Sequence, residues 1–206
     1  MPKSTEKRLK PTPRSRKPES IRSMLATGTH RLDIGRVREV AALIQSHPRK
    51  ARAVVECLFD PDPGTANRAA DALERASYHH PSLLAPWKDV LLGLLPDAEH
   101  NKLRWNLALM TARIELTPPE CRRLASILNS WLDDKSSIVK TAAMHGLAGV
   151  ARQDASLLPE VLDILRILSR SGTPAMRARG RILLKKLEAS PDRTLRNRPQ
   201  RDDLRA

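Results

Sequence analysis

The chain has very few aromatic residues. Phe59, Tyr78, Trp87, Trp105 and Trp131 are the whole supply, 2% of 206 residues, so a core built here must rest on Leu, Ile, Val and Ala, which suit close helix packing. There are only two cysteines, Cys57 and Cys121. In a chain of repeated helical pairs they fall two repeats apart. Packed helices stand about 8–10 Å from one another, and a disulfide needs Cα atoms within about 7 Å, so both are expected as reduced core residues in a cytoplasmic protein. Long apolar runs are missing too. Stretches such as Val90 to Leu95 are far too short to span a bilayer, and the first twenty residues lack the apolar segment of a signal peptide.

The usual marks of catalysis are also absent. The sequence has no phosphate-cradling glycine loop, no nucleophile elbow and no H-E-x-x-H, so it is not read as an enzyme. The adjacent carboxylates Asp133 and Asp134 sit in a turn, where neighbouring residues do not converge on one bond. His79, His80 and His100 lack the i, i+4 spacing that puts two metal ligands on one helical face. They read as turn and surface residues, and His145 as a partly buried helix residue. No metal and no cofactor is expected.

What the chain has in excess is positive charge, +14 at neutral pH. Residues 1 to 20 carry seven basic and two acidic side chains, and residues 189 to 206 carry five and three. Half the excess therefore lies on segments rich in proline and arginine and poor in apolar residues. These cannot repay the entropy of ordering, and are expected as a disordered basic arm (1–20) and a disordered Arg-rich tail (190–206) around one folded unit, 21–189. Such tails either keep a protein soluble or reach for an anionic partner.

Within the unit, apolar residues recur at helical spacing. Ile34, Val37, Val40, Ala41 and Ile44 predict an opening helix near Gly35 that caps the end of a helical stack. Four helical pairs come next. The first starts at Pro48, buries Val54, Val55, Leu58 and Phe59, turns at Asp60 to Gly64, and returns over Thr65 to Tyr78. Its successor starts at Pro86 with Leu91, Leu92, Leu94 and Leu95 inward, then returns from Glu99 to Ile114. The third opens on Thr117-Pro-Pro-Glu120, a capping box, and restarts at Ser136 or Ser137. The fourth begins near Pro159, buries Val161, Leu162, Ile164, Leu165 and Leu168, restarts at Thr173-Pro174, and ends near Glu188.

The pairs are registered copies. Arg68, Arg104, Lys140 and Arg177 are separated by 36, 36 and 37 positions. The same offsets superpose Val55, Leu91, Ile127 and Ile164, and also Phe59, Leu95, Trp131 and Leu168, all apolar. Agreement in three columns marks an internal repeat.

The period, the hairpin pattern and the strings LFDPDPGTANRAADAL, LRWNLALM and LDDKSSIVKTAAMHGLAGVA resemble HEAT repeats, and residues 33 to 189 resemble a group of small bacterial HEAT-like proteins. The resemblance implies an all-α solenoid, an armadillo-like superhelix of about four antiparallel hairpins behind an N-terminal capping helix, with second helices lining a concave side. It also implies a ladder between repeats, formed by a turn acid and a base six residues on. Asp62 with Arg68 and Asp134 with Lys140 match. Ala98 and Ser171 replace the acid elsewhere, which leaves Arg104 and Arg177 free of that duty. HEAT-like alkylpurine DNA glycosylases set aromatics and an acid on a basic face, but Trp105 here has only Asn101, Lys102, Ala108 and Leu109 a helical turn away.

The remaining functional signal is charge. Arg177, Arg181 and Lys185 share one helical face, with Arg170 arriving from the helix before. The stripe is either the solvated side of an end cap or, with Arg104, a site for an anion or an acidic partner. The leading expectation is a monomeric, non-catalytic scaffold that binds a protein partner on its curved surface. The alternative is nucleic-acid binding through the tails and the last helix.

Overall fold

The structure, a computed structural model, describes residues 19–28 and 33–189, and every regular element among them is helical. The arm expected at 1–20 lies outside the described residues as far as 18. Its last two members belong to the folded unit: Ser20 caps the first helix by accepting from Ser23 N at 3.1 Å, and Glu19 pairs with Arg36 at 2.6 Å. The expected tail, 190–206, lies wholly outside the described residues.

Ten α-helices occur in order among the described residues: α1 (Ile21–Ala26), α2 (Val37–Ser46), α3 (Ala51–Glu56), α4 (Pro63–Ser77), α5 (Lys88–Leu94), α6 (Asn101–Thr111), α7 (Pro118–Ser130), α8 (Ser137–Ala151), α9 (Leu158–Ser171) and α10 (Pro174–Glu188). Short 3-10 turns lead into α3, α5 and α9 and trail α3 and α7. Each odd helix packs on the even helix after it, and the even helices form a row in which α4 touches α2 and α6, and α8 touches α6 and α10. Sequence register and spatial order therefore agree. Arg68, Arg104, Lys140 and Arg177 all fall in the first two turns of α4, α6, α8 and α10.

Small side chains explain why the interior of that row can close. A helix flanked on three sides must let three neighbours approach, and α4 does so with Ala66, Ala69, Ala70, Ala72 and Ala76, all buried. In α8 the same role falls to Ala142, Ala143, Gly146, Ala148 and Ala151. Burial of the Leu, Ile, Val and Met side chains between the layers supplies the main driving force, about 1.5–3 kcal/mol for each large residue.

Four expectations need correction. First, apolar spacing does not reveal α1, so a helical pair, α1 with α2, stands in place of the single capping helix. Second, Phe59 is 60% exposed. The chain tightens into a 3-10 turn over Cys57–Phe59, and the change from 3.6 to 3.0 residues per turn rotates Phe59 off the buried stripe. Third, Leu162, Ile164 and Leu168 are half-buried, while Val161 and Leu165 are buried. Fourth, Pro86 lies within a 3-10 stretch, Pro81–Trp87, and the α-helix starts at Lys88. The capping box is as expected, with Thr117 N donating to Glu120 Oε2 at 2.7 Å. Glu120 also accepts from Lys88 at 2.7 Å. Lys88 first, then the Thr117 amide, lowers the Glu120 pKa to about 2. Both cysteines are free and buried.

Candidate partner-binding face

The predicted ladder is present in altered form. Arg68 is buried, and its guanidinium donates to the Leu25 carbonyl and, at 3.4 Å, to that of Asp33, with Asp62 at 3.7 Å. Gly28 and Gly64 make room for it, since a Cβ at either would meet guanidinium nitrogens at 2.6 and 3.0 Å. Asp62 mainly caps α4, accepting from Gly64 N and Thr65 N at 3.2 and 2.8 Å.

Asp134 does not pair with Lys140. It binds Arg104 of the preceding repeat at 2.6 Å and accepts from Ser136 N at 2.6 Å. Arg104 also donates to Ala98 O at 2.5 Å and lies over the Trp131 ring, 5.7 Å from its centroid. Motif spacing leaves Arg104 free for an anion, but the structure commits it to holding two repeats together. Arg177 donates to Gly172 O at 3.1 Å. Arg170, Arg181 and Lys185 are exposed and have no hydrogen bond or ion pair among the described residues.

Sequence reasoning missed the groups that tie the far ends of the even helices. Gln45 on α2 donates to Ala76 O at 3.3 Å. Gln153 donates to Ala112 O at 2.9 Å and accepts from Leu116 N at 3.0 Å. Arg113 binds Glu74 at 2.9 Å and covers Tyr78. Polar side chains at or just past a helix end were the available signal.

Each interior even helix has three packed sides and one free side. On the free side lies a groove of about 390 Å³, whose walls are Ile34, Trp105 and Ile138. Ile138 is 57% exposed and Ile34 37%. The groove floor is an ion-pair cluster: Asp71 binds Arg75 at 2.6 Å and Lys102 at 3.3 Å. Further along the same side come Leu109, His145, Arg152, Arg179, Ile182 and Lys186, half-buried or exposed. Burial, followed by the charges of Arg179, Arg152, Arg113 and Lys186, holds the His145 pKa down at about 4.

Charge divides between the layers. Helices α6, α8 and α10 together carry eight Lys or Arg against one carboxylate, Glu188, whereas α5, α7 and α9 carry five against four. No group of three or more His, Cys, Asp or Glu able to hold a metal occurs among the described residues. None of the described helices is long and apolar enough to cross a membrane.

No protein-family model matches the chain, and a search of curated proteins finds no match either. Among solved structures, the crystal structure of an engineered protein from the Northeast Structural Genomics Consortium aligns over 80% of this chain and 77% of its own, at a TM-score of 0.54 and 16% identity. At that identity the likeness is one of fold, and the chain is an all-α protein of that general shape.

Proposed function

We propose that the chain is a HEAT-like α-solenoid and acts as a non-catalytic protein-interaction scaffold, monomeric and cytoplasmic, that binds a partner on the free side of its even-helix row. The observation that carries this reading is the groove between Ile34, Trp105 and Ile138. Aliphatic side chains left in water beside a half-buried indole favour a partner that covers them. The fully paired Asp71 cluster beneath gives the groove a rigid floor. Its residues come from three successive even helices and the segment before α2, so the site exists only when the repeats are stacked.

The reading is tested by placing a photo-reactive residue at position 138 or, on the outer layer, at exposed position 123 of the full chain. Irradiation in cell extract should give a protease-sensitive, nuclease-resistant adduct at 138 and none at 123. Equal labelling at both positions, or an adduct that nuclease removes, would refute it. Nucleic-acid binding through the tails and Arg177, Arg181 and Lys185 is the second reading, supported by the exposure of all three side chains. It requires binding that weakens steeply with salt and is lost when both tails are deleted.

A further inference from the structure

The proposed face has a chemical character that narrows its partner. Its carboxylates are already spent: Asp71 is held by Arg75 and Lys102, and Glu74 by Arg113. Cations on α8 and α10 are not so matched. Arg152, Arg179 and Lys186 are exposed, and none of their side chains has a hydrogen bond or ion pair among the described residues. Repeat register brings them together. The 37-residue offset sets Ile182 beside His145, with Arg179 one turn before it and Lys186 one turn after it on the same face of α10, while Arg152, the C-cap of α8, lies two turns beyond His145. Because α8 packs against α10, the three cations frame the imidazole, and Arg113 approaches from the end of α6.

Helix dipoles give a partial explanation for this clustering. Arg152 and Lys186 sit at helix C-termini, where the helix dipole favours a cation. Arg179 is in the second turn of α10, where that effect opposes it. Burial first, then these cations, lowers the His145 pKa, and like charges gathered without partners repel one another. A ligand carrying negative charge would relieve that repulsion.

We propose, building on the scaffold reading, that the partner segment is an acidic amphipathic peptide, whose apolar side chains enter the Ile34–Trp105–Ile138 groove while its carboxylates lie over Arg152, Arg179 and Lys186. The groove separates this ligand from a nucleic acid. Bases bind by stacking on aromatic rings, and here the walls are two isoleucines and one half-buried indole, surfaces suited to Leu or Ile side chains. Charge then sets orientation, with the apolar side chains of the peptide towards α6 and its carboxylates towards α10. Neutral His145, at the centre, can accept or donate one further hydrogen bond.

The test uses the full chain and a fluorescent synthetic peptide of Glu and Leu in amphipathic order, followed by anisotropy. Controls are the same peptide with Lys for Glu and a labelled single-stranded oligonucleotide. The acidic peptide should bind, with Kd raised about tenfold or more by R179E/K186E and by Ile138→Glu. Arg123→Glu, on the outer layer, should leave Kd within about twofold. Circular dichroism at matched concentration establishes that each variant is folded. An independent readout is the His145 imidazole by NMR: saturating acidic peptide should move its ring resonances, because the bound segment covers the half-buried ring and sets carboxylates beside it. Tighter binding of the oligonucleotide than of the acidic peptide, an unchanged Kd in the folded double variant, or His145 ring resonances unmoved by saturating peptide would each overturn the proposal. If position 138 still cross-links a protein while the acidic peptide fails to bind, the scaffold reading stands and only this assignment of its ligand falls.

Discussion

At the residue scale the decisive group is Asp134. It joins two repeats through Arg104 and caps the start of α8 through Ser136 N, and its side chain is only 6% exposed. Removing it leaves Arg104 half-buried without its carboxylate. Asp134→Ala should therefore cost about 1–3 kcal/mol in chemical denaturation, the penalty for an orphaned, partly desolvated charge. Lys140→Ala, which the spacing rule treats as the other half of that pair, should change stability by less than about 0.5 kcal/mol. Equal losses from the two substitutions would restore the pairing within the repeat. The ladder positions could be read from the sequence because the offsets of 36 and 37 are strict. Their partners could not, because the carboxylate that meets Arg104 lies 30 residues downstream, and only stacking brings it there.

At the element scale, two glycines in helices carry opposite predictions. A Cβ at Gly149 of α8 would meet the Ala112 Cβ at 2.9 Å and the Ala112 carbonyl oxygen at 3.0 Å, both fixed to backbone, whereas a Cβ at Gly93 of α5 meets nothing within 4 Å. Alanine gains up to about 1 kcal/mol over glycine in a helix interior. Gly93→Ala should therefore stabilise by about 0.5–1 kcal/mol, and Gly149→Ala should destabilise by about 1–3 kcal/mol as α6 and α8 are pushed apart. Thermal melting of both variants decides the matter, and a stabilised Gly149→Ala would show the close approach to be dispensable. Most of the helices legible from periodicity start at or near a proline or a capping residue, and the chain announces those starts plainly. The exception, α1, is six residues long, and its Ile21, Met24 and Leu25 form only one helical turn of pattern, too little to separate from a loop without the neighbours that bury it. Phe59 defeats the pattern for a related reason, since a local change of helical pitch leaves no mark in apolar spacing.

At the scale of the whole molecule, the chemistry of the even-helix row changes at α10, the last described helix. In register, Ala72, Ala108 and Met144 are buried and Arg181 is exposed; Ala76, Ala112 and Ala148 are buried and Lys185 is exposed. Small apolar residues that would receive a further helix are thus replaced by two cations. Exposed cations at these positions disfavour the packing of a further helix, which is the solvated-cap alternative of the sequence reading, and the two roles of the stripe are separated by experiment. Arg181→Met combined with Lys185→Ala should make the chain associate end to end as its concentration rises, measured as mass by light scattering during gel filtration. A double variant that keeps the wild-type mass at every concentration would return Arg181 and Lys185 to the set of candidate ligand contacts. The candidate face itself was only half legible: its cations could be counted from the sequence, but the groove needs Ile34, Trp105 and Ile138 from three distant segments.

The setting of Arg68 bears on how the molecule meets acid. Its strongest ties run to the main-chain oxygens of Leu25 and Asp33, and amide carbonyls do not titrate in the range where carboxylates gain protons. The first helix is thus moored to α4 by a clasp that acidification leaves fastened, whereas the Arg22–Asp60 pair and the Asp62 cap beside it, whose carboxyl pKa values Arg22 and Thr65 hold below the ordinary range, weaken only as the pH falls further.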